Sequence, residues 1–305
     1  MTTSNDLVAG GLRIGQHERS FTLRKPRAAP AGEPPLVIVL HGNSPEASGA
    51  TMLAWTSFDA HADEWGIAVA YPDGHRGSWA DGRGVTAADA DGIDDVAFLR
   101  GLIDWSAEHH GTRPDHTIIA GISNGAFMAH RLALQESERV AAFGAVAGAL
   151  PGALRDLQPD HAVSALLING TADPLVSLSG GYSRHRGPNG ELRGQVLSQH
   201  DTAERWRAVN RCGSEPDSET VEEIPPSPDR PGWLGLTRHV MTGGVGGVKV
   251  ATLTVHGGGH TWPGSAAATD PRAAAAIGQT AQNFDAAEEI VRFARPLLDA
   301  PTRRL

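Results

Sequence analysis

Ile118-Ile119-Ala120-Gly121-Ile122-Ser123-Asn124-Gly125-Ala126 couples a short apolar run to a G-x-S-x-G turn, and the turn opens into a helix-forming stretch. That is the layout of a nucleophile elbow, in which a sharp strand-to-helix turn lifts a serine above the edge of a sheet. The flanking glycines have a mechanical reason, since so tight a turn leaves its neighbours little room for side chains. His116 to Ala120 reads as a buried strand. Ala126, Ala129 and Ala133, with Phe127, Met128 and Leu132, read as a helix with a small inner face and a bulkier flank. The alternative for Ser123 taken alone is a helix N-cap.

Working outward, strand and helix signals alternate. His17 to Arg24 suits an early strand, and Leu36-Val37-Ile38-Val39-Leu40 is nearly all β-branched or apolar, as expected of a parallel strand buried on both faces. A helical stretch spans Gly49 to Glu64, and Gly66 to Tyr71 forms the next strand. Asp94 and Asp95 stand where caps open a helix carrying Val96, Leu99, Leu102, Ile103 and Trp105. After the elbow helix come strands at Val140 to Ala147 and Val163 to Asn169, then a short helix at Ala203 to Arg211. Gly213 to Gly247 reads as an irregular hairpin excursion, Val248 to Val255 as the last strand and Ala281 to Leu298 as an amphipathic closing helix. This rhythm predicts an α/β fold: a mostly parallel central sheet with helices on both faces. With no internal repeat and no long linker, 1–305 is expected to be a single domain, with 1–16 a loosely ordered N-terminus.

Composition bounds the function. A chain of 305 residues with 40% hydrophobic content supports a sizeable core. The formal charge of −9 argues against nucleic acid as a partner. Cys212 is the only cysteine, which excludes an intrachain disulfide or a multi-thiolate metal site. Met1 to Ser20 lacks the apolar run of a secretory signal, and no stretch reaches membrane-spanning length. The chain as written is expected to be cytoplasmic, without a membrane partner, or secreted if a leader has been removed.

A serine hydroxyl is a poor nucleophile at neutral pH and needs a base oriented by a carboxylate; on such an elbow these follow in the order Asp or Glu, then His. Leu166-Leu167-Ile168-Asn169-Gly170-Thr171-Ala172-Asp173-Pro174 is an apolar strand ending in a turn, which leaves Asp173 at the strand's C-terminal end. Val255-His256-Gly257-Gly258-Gly259-His260 follows the last strand and can swing His260 over the sheet. The plainer readings make Asp173 a turn residue and His260 a solubilising surface histidine. His256 and His260 have the i, i+4 spacing of metal ligands, but three intervening glycines disfavour the helix that would align them, so no metal or other cofactor is expected. In the triad Ser123, Asp173 and His260, the aspartate fixes the imidazole tautomer and the imidazole takes the serine proton. The oxyanion donors are assigned to the backbone N–H groups of Asn124 and Asn43, the latter in His41-Gly42-Asn43-Ser44-Pro45, where Pro45 has no N–H. His41 is read as a support for that loop, and Asp94 and Asp95 as helix caps.

These residues, together with Tyr71-Pro72-Asp73-Gly74, Asp94-Asp95-Val96-Ala97-Phe98-Leu99 and Gly258-Gly259-His260-Thr261-Trp262-Pro263-Gly264, resemble the polyhydroxybutyrate depolymerase and feruloyl esterase group of α/β-hydrolases. The resemblance implies an α/β-hydrolase fold, the same triad, and ester hydrolysis through an acyl-enzyme on hydroxyalkanoate polyester or oligomers. A feruloyl- or acetyl-type carboxylesterase is the alternative, followed by an acyltransferase and by a non-catalytic ligand-binding protein on the same scaffold. Many relatives are disulfide-braced or carry a binding module behind a Ser/Thr/Pro-rich linker, and this chain has neither feature. Trp262, two residues past the proposed base, and Trp79 are expected to line the substrate pocket.

Overall fold

A computed structural model describes residues 7–27, 33–183, 189–213, 218–265 and 275–298. The strands are β1 (Leu7–Ile14), β2 (His17–Arg24), β3 (Pro35–Leu40), β4 (Ala68–Pro72), β5 (Arg113–Ile122), β6 (Val140–Val146), β7 (Ser164–Gly170), β8 (Glu219–Ile224), β9 (Gly235–Met241) and β10 (Val250–His256). They form one sheet in the order β1-β2-β4-β3-β5-β6-β7-β10-β9-β8. The six central strands from β4 to β10 run parallel, and antiparallel pairs, β1 with β2 and β9 with β8, extend both edges. This is the α/β-hydrolase architecture the sequence predicted.

The period of two in the apolar strands sorts side chains to opposite faces. Leu36, Ile38 and Leu40 of β3 join the core under α4 (Asp95–His110), α5 (Asn124–Gln135) and α6 (Gln199–Asn210). Val37 and Val39 join the core under α1 (Gly49–Trp55), α2 (Phe58–Trp65) and α7 (Ala286–Leu298). The short helix α3 (Ala87–Ala90) lies in the loop between β4 and α4. With both faces covered, the loops at the strands' C-terminal ends are what remains for a site.

Four expectations change. Of the stretch 1–16, residues 1–6 lie outside the described residues, while Leu7–Ile14 is an edge strand: its whole length pairs with β2, so the backbone groups on that side are satisfied in a ladder rather than by water. The helix expected over Gly49 to Glu64 is two helices, because Thr56 leaves helical geometry and its hydroxyl turns back to the Met52 carbonyl at 2.8 Å. The excursion from Gly213 to Gly247 contains an ordered hairpin, β8 with β9, which lengthens the sheet; 214–217 lie outside the described residues. The closing helix begins at Ala286, five residues later than expected. Among the described residues no helix is long and apolar enough to cross a membrane.

Candidate active site

Parallel strands carry their following loops to one edge of the sheet, and that edge assembles the candidate residues. Ser123 joins β5 to α5 with φ 55° and ψ −117°, a conformation a non-glycine residue holds only when its surroundings impose it. The imposition is visible. A Cβ on Gly121 would lie 2.3 Å from the Gly125 carbonyl oxygen, and one on Gly125 would lie 2.4 Å from the Leu40 oxygen, so only glycine lets the turn nest against β3. The Ser123 side chain makes no capping hydrogen bond to α5, which removes the N-cap reading of its hydroxyl.

Asp173 lies beyond the end of β7 and uses its two carboxylate oxygens separately. Oδ1 accepts the N–H groups of Leu175 and Val176, each at 2.8 Å, and Oδ2 faces His260 Nδ1 at 2.8 Å. The residue is therefore both turn-former and histidine partner, with the turn fixing the carboxylate for the ring. A carboxylate only accepts, so Nδ1 carries the hydrogen and the lone pair of the neutral ring is on Nε2.

The loop carrying His260 is clamped on both sides. Gly258 O accepts from Ala172 N–H at 2.9 Å, Gly259 N–H donates to Gln279 O at 2.8 Å, and His260 N–H donates to Ile277 O at 2.6 Å. A Cβ on Gly170 would lie 2.1 Å from Gly258 O, and one on Gly259 would lie 2.1 Å from Ile277 O, which explains the glycine run as close backbone packing. His256 is exposed and engages Thr237 Oγ1 at 2.7 Å through Nε2, on the hairpin side and apart from His260. Among the described residues no group of three or more His, Cys, Asp or Glu side chains is placed to hold a metal ion.

The loop after β3 packs beside Ser123: a Cβ on Gly42 would lie 3.5 Å from the serine Cβ. His41 organises this loop as the sequence suggested. Its Nε2 accepts the Gly74 N–H at 2.8 Å and its Nδ1 hydrogen donates to Gly42 O at 2.7 Å, an arrangement open only to the neutral ring. Burial agrees, holding the imidazole pKa below its ordinary value.

Trp79 and Trp262 depart from expectation, since neither borders the cavities at Ser123. Trp79, at 0% exposure, donates its indole N–H to His41 O at 3.0 Å and packs against the His41 ring, tilted by 38°. Its backbone pairs with the Asn124 carboxamide: Trp79 N–H donates to Oδ1 at 2.7 Å, and Nδ2 donates to Trp79 O at 3.1 Å. Trp262, at 2% exposure, lies in the apolar core near Phe58. The Pro-Gly turn after it leads the chain back toward α7 and carries the ring under the sheet. Of the two aspartates read as caps, Asp94 caps α4 through Ala97 N–H at 2.9 Å. Asp95 is instead a buried ion-pair partner of Arg19 at 2.7 Å and accepts Ala80 N–H at 2.7 Å, anchoring the segment after Trp79.

Two cavities meet at Ser123. One, of about 410 Å³, is mostly apolar and is bordered by Met52, Trp55, Leu175, Ile277, Ser123 and His260. The other, of about 330 Å³, is bordered by Ser123, Asn43, Arg83, Asp173, Tyr182 and the segment from Ser177 to Ser183 with Gly194 and Val196. Residues 184–188 lie outside the described residues. Sequence reasoning missed Trp55, hidden in an expected helix, and Asp81 and Arg83. The last two had one faint signal, the run Asp81-Gly82-Arg83-Gly84, an acid and a base two residues apart on a glycine-rich turn.

Comparisons with known proteins agree with this architecture. The profile of the esterase PHB depolymerase family matches residues 19–176. "Putative esterase NocK" of Nocardia uniformis subsp. tsuyamanensis is 32% identical over 295 residues, covering 96% of this chain and 82% of that protein. Feruloyl esterase B of Piromyces equi is 27% identical over 201 residues, 64% of this chain and 34% of that protein. Among solved structures, an acetyl xylan esterase from Aspergillus awamori superposes with a TM-score of 0.52 at 14% identity, over 81% of this chain and 92% of that one, a likeness of fold. Carrying the family profile over half its length and a relative along nearly all of it, on an α/β-hydrolase sheet, the chain belongs to the esterase PHB depolymerase family and is a carboxylic ester hydrolase.

Proposed function

We propose that the hydrolysis proceeds through an acyl-enzyme on Ser123, with His260 as the base and Asp173 as its orienting carboxylate. The observation that carries this reading is the 2.8 Å contact of His260 Nδ1 with Asp173 Oδ2, together with a Ser123 hydroxyl that spends no bond on capping and borders the same cavity as the imidazole. His260 Nε2 takes the serine proton as Oγ attacks the ester carbonyl. The tetrahedral intermediate collapses with cleavage of the C–O bond, and the same proton passes to the departing alcohol. Water then enters, gives a proton to Nε2 and attacks the acyl carbonyl, and Ser123 leaves with that proton.

The oxyanion falls to the N–H of Asn124, at the start of α5, and to that of Asn43. The start of the helix adds its positive dipole end to these donors. His41, Trp79 and the Asn124 carboxamide hold the two donor-bearing loops against each other. Small or oligomeric esters fit a site with two arms meeting at the nucleophile.

The test is hydrolysis of p-nitrophenyl butyrate by Ser123→Ala. Turnover is expected to fall by roughly 10⁴-fold or more with no initial burst of nitrophenol, while the circular dichroism spectrum stays that of the wild type. Turnover within tenfold of the wild type would dismiss Ser123 as the nucleophile.

A further inference from the structure

The second cavity at Ser123 differs from the first in carrying an anchored, partly buried cation. Arg83 Nε and Nη2 both approach Asp81 Oδ2, at 2.9 and 2.8 Å, and the Arg83 backbone N–H donates to Asp81 Oδ1 at 2.9 Å. The guanidinium carbon lies 3.8 Å from the centroid of the Phe127 ring. Its partner Asp81 is fully buried and also accepts from the Asn124 carboxamide at 2.5 Å. Arg83 thus has one edge of its fork fixed by a carboxylate and one face fixed by an aromatic ring. Among the described residues Nη1 carries no hydrogen bond, and the side chain, 10% exposed, borders the cavity it shares with Ser123.

A planar cation held this way has lost most of its rotamer freedom before any ligand arrives, and its remaining edge suits a carboxylate. The other charged group bordering the cavity does not compete for it. Asp173 has both oxygens engaged, by Leu175 and Val176 on one side and His260 on the other.

The mechanism assigns the two arms. A leaving alcohol takes its proton from His260, so it lies beside that ring, and of the two cavities His260 borders the apolar one. The acyl arm then extends into the cavity of Arg83. Resting on the acyl-enzyme reading above, we infer that Arg83 binds a carboxylate at the far end of the acyl chain. The preferred substrates are therefore half-esters of dicarboxylic acids with an apolar alcohol, R–O–CO–(CH₂)n–COO⁻.

Benzyl hydrogen succinate, glutarate and adipate, each compared with the analogue whose free carboxylate is replaced by a carboxamide, test this with benzyl alcohol release as the readout. At the best chain length, wild-type kcat/KM for the acid is expected to exceed that for the amide by about tenfold, the size of one charge-assisted hydrogen bond. The difference should lie mainly in KM and shrink as NaCl rises. Arg83→Gln should bring the ratio to about one, and Arg83→Lys, which keeps a cation beside Asp81, should retain part of it. A wild-type ratio at or below one at every length, or a ratio untouched in Arg83→Gln, overturns the assignment. In the same assay, a Ser123→Ala protein that still hydrolyses these esters would overturn the nucleophile, and this inference with it; an inactive one leaves the ratio to decide.

Discussion

The indole of Trp262 sits among Phe58, the aliphatic side chains of the sheet and α7, and its N–H has no hydrogen-bond partner among the described residues. Phenylalanine there loses volume but also removes a desolvated donor, so the packing loss is partly offset. Trp262→Phe is expected to lower stability by about 1–2 kcal/mol in urea unfolding and to leave KM for p-nitrophenyl butyrate unchanged. A several-fold rise in KM at unaltered kcat would return the ring to the substrate pocket. Trp79 differs, because its N–H supports the carbonyl of His41 and its backbone supports Asn124. The sequence pointed both tryptophans into the substrate pocket, and neither borders the cavities at Ser123. Their direction was not legible, since the facing of a loop side chain follows from what the loop packs against.

The strand–turn–helix unit of β5 and α5 stores strain at one residue. A serine at φ 55° costs roughly 1–3 kcal/mol relative to glycine, offset by the greater entropy glycine loses on folding. Ser123→Gly is therefore expected to be more stable than Ser123→Ala by about 1 kcal/mol, read as a higher Tm, although both lack the hydroxyl. Equal melting temperatures would mean that the elbow relaxes rather than bears the strain. Elsewhere local rules were enough. The β3 stretch announced a strand buried on both faces, and Asp94 announced the start of α4. They failed at Thr56, where a helix-compatible run is broken by a hydroxyl bonding back to Met52, and at Leu7–Ile14, where a short apolar segment interrupted by two glycines becomes a strand because β2 offers it an edge.

Across the molecule, the two cores hold polar groups that tie acid stability to the fold. His130 of α5 is fully buried, accepts the Trp206 N–H of α6 on Nδ1 at 3.0 Å, and packs on Phe143 of β6. Burial lowers its pKa from 6.5 to about 3. Between those values the unfolded chain holds a proton that the folded one excludes, so this histidine costs no stability above pH 6.5 and progressively destabilises the protein as pH falls toward 3. His130→Gln keeps an acceptor for Trp206 and removes the titration. The variant is expected to start about 1–3 kcal/mol less stable at pH 8 and to lose less Tm than the wild type on acidification below pH 6.5. A wild-type-minus-variant gap that is constant with pH would assign the acid sensitivity to other groups.

The sequence by itself determined the alternation of strands and helices, the edge of the sheet that bears the site, and the chain order of Ser123, Asp173 and His260. Each rests on periodicity or on turn chemistry, which act over a few residues. The tertiary structure alone decided the direction of Trp79 and Trp262, the burial of Asp95 against Arg19, and the pairing of Asp81 with Arg83 and Asn124 beside Ser123. Those outcomes depend on which distant backbones come into contact, and on the need of every charge so enclosed for a partner that the chain order does not disclose.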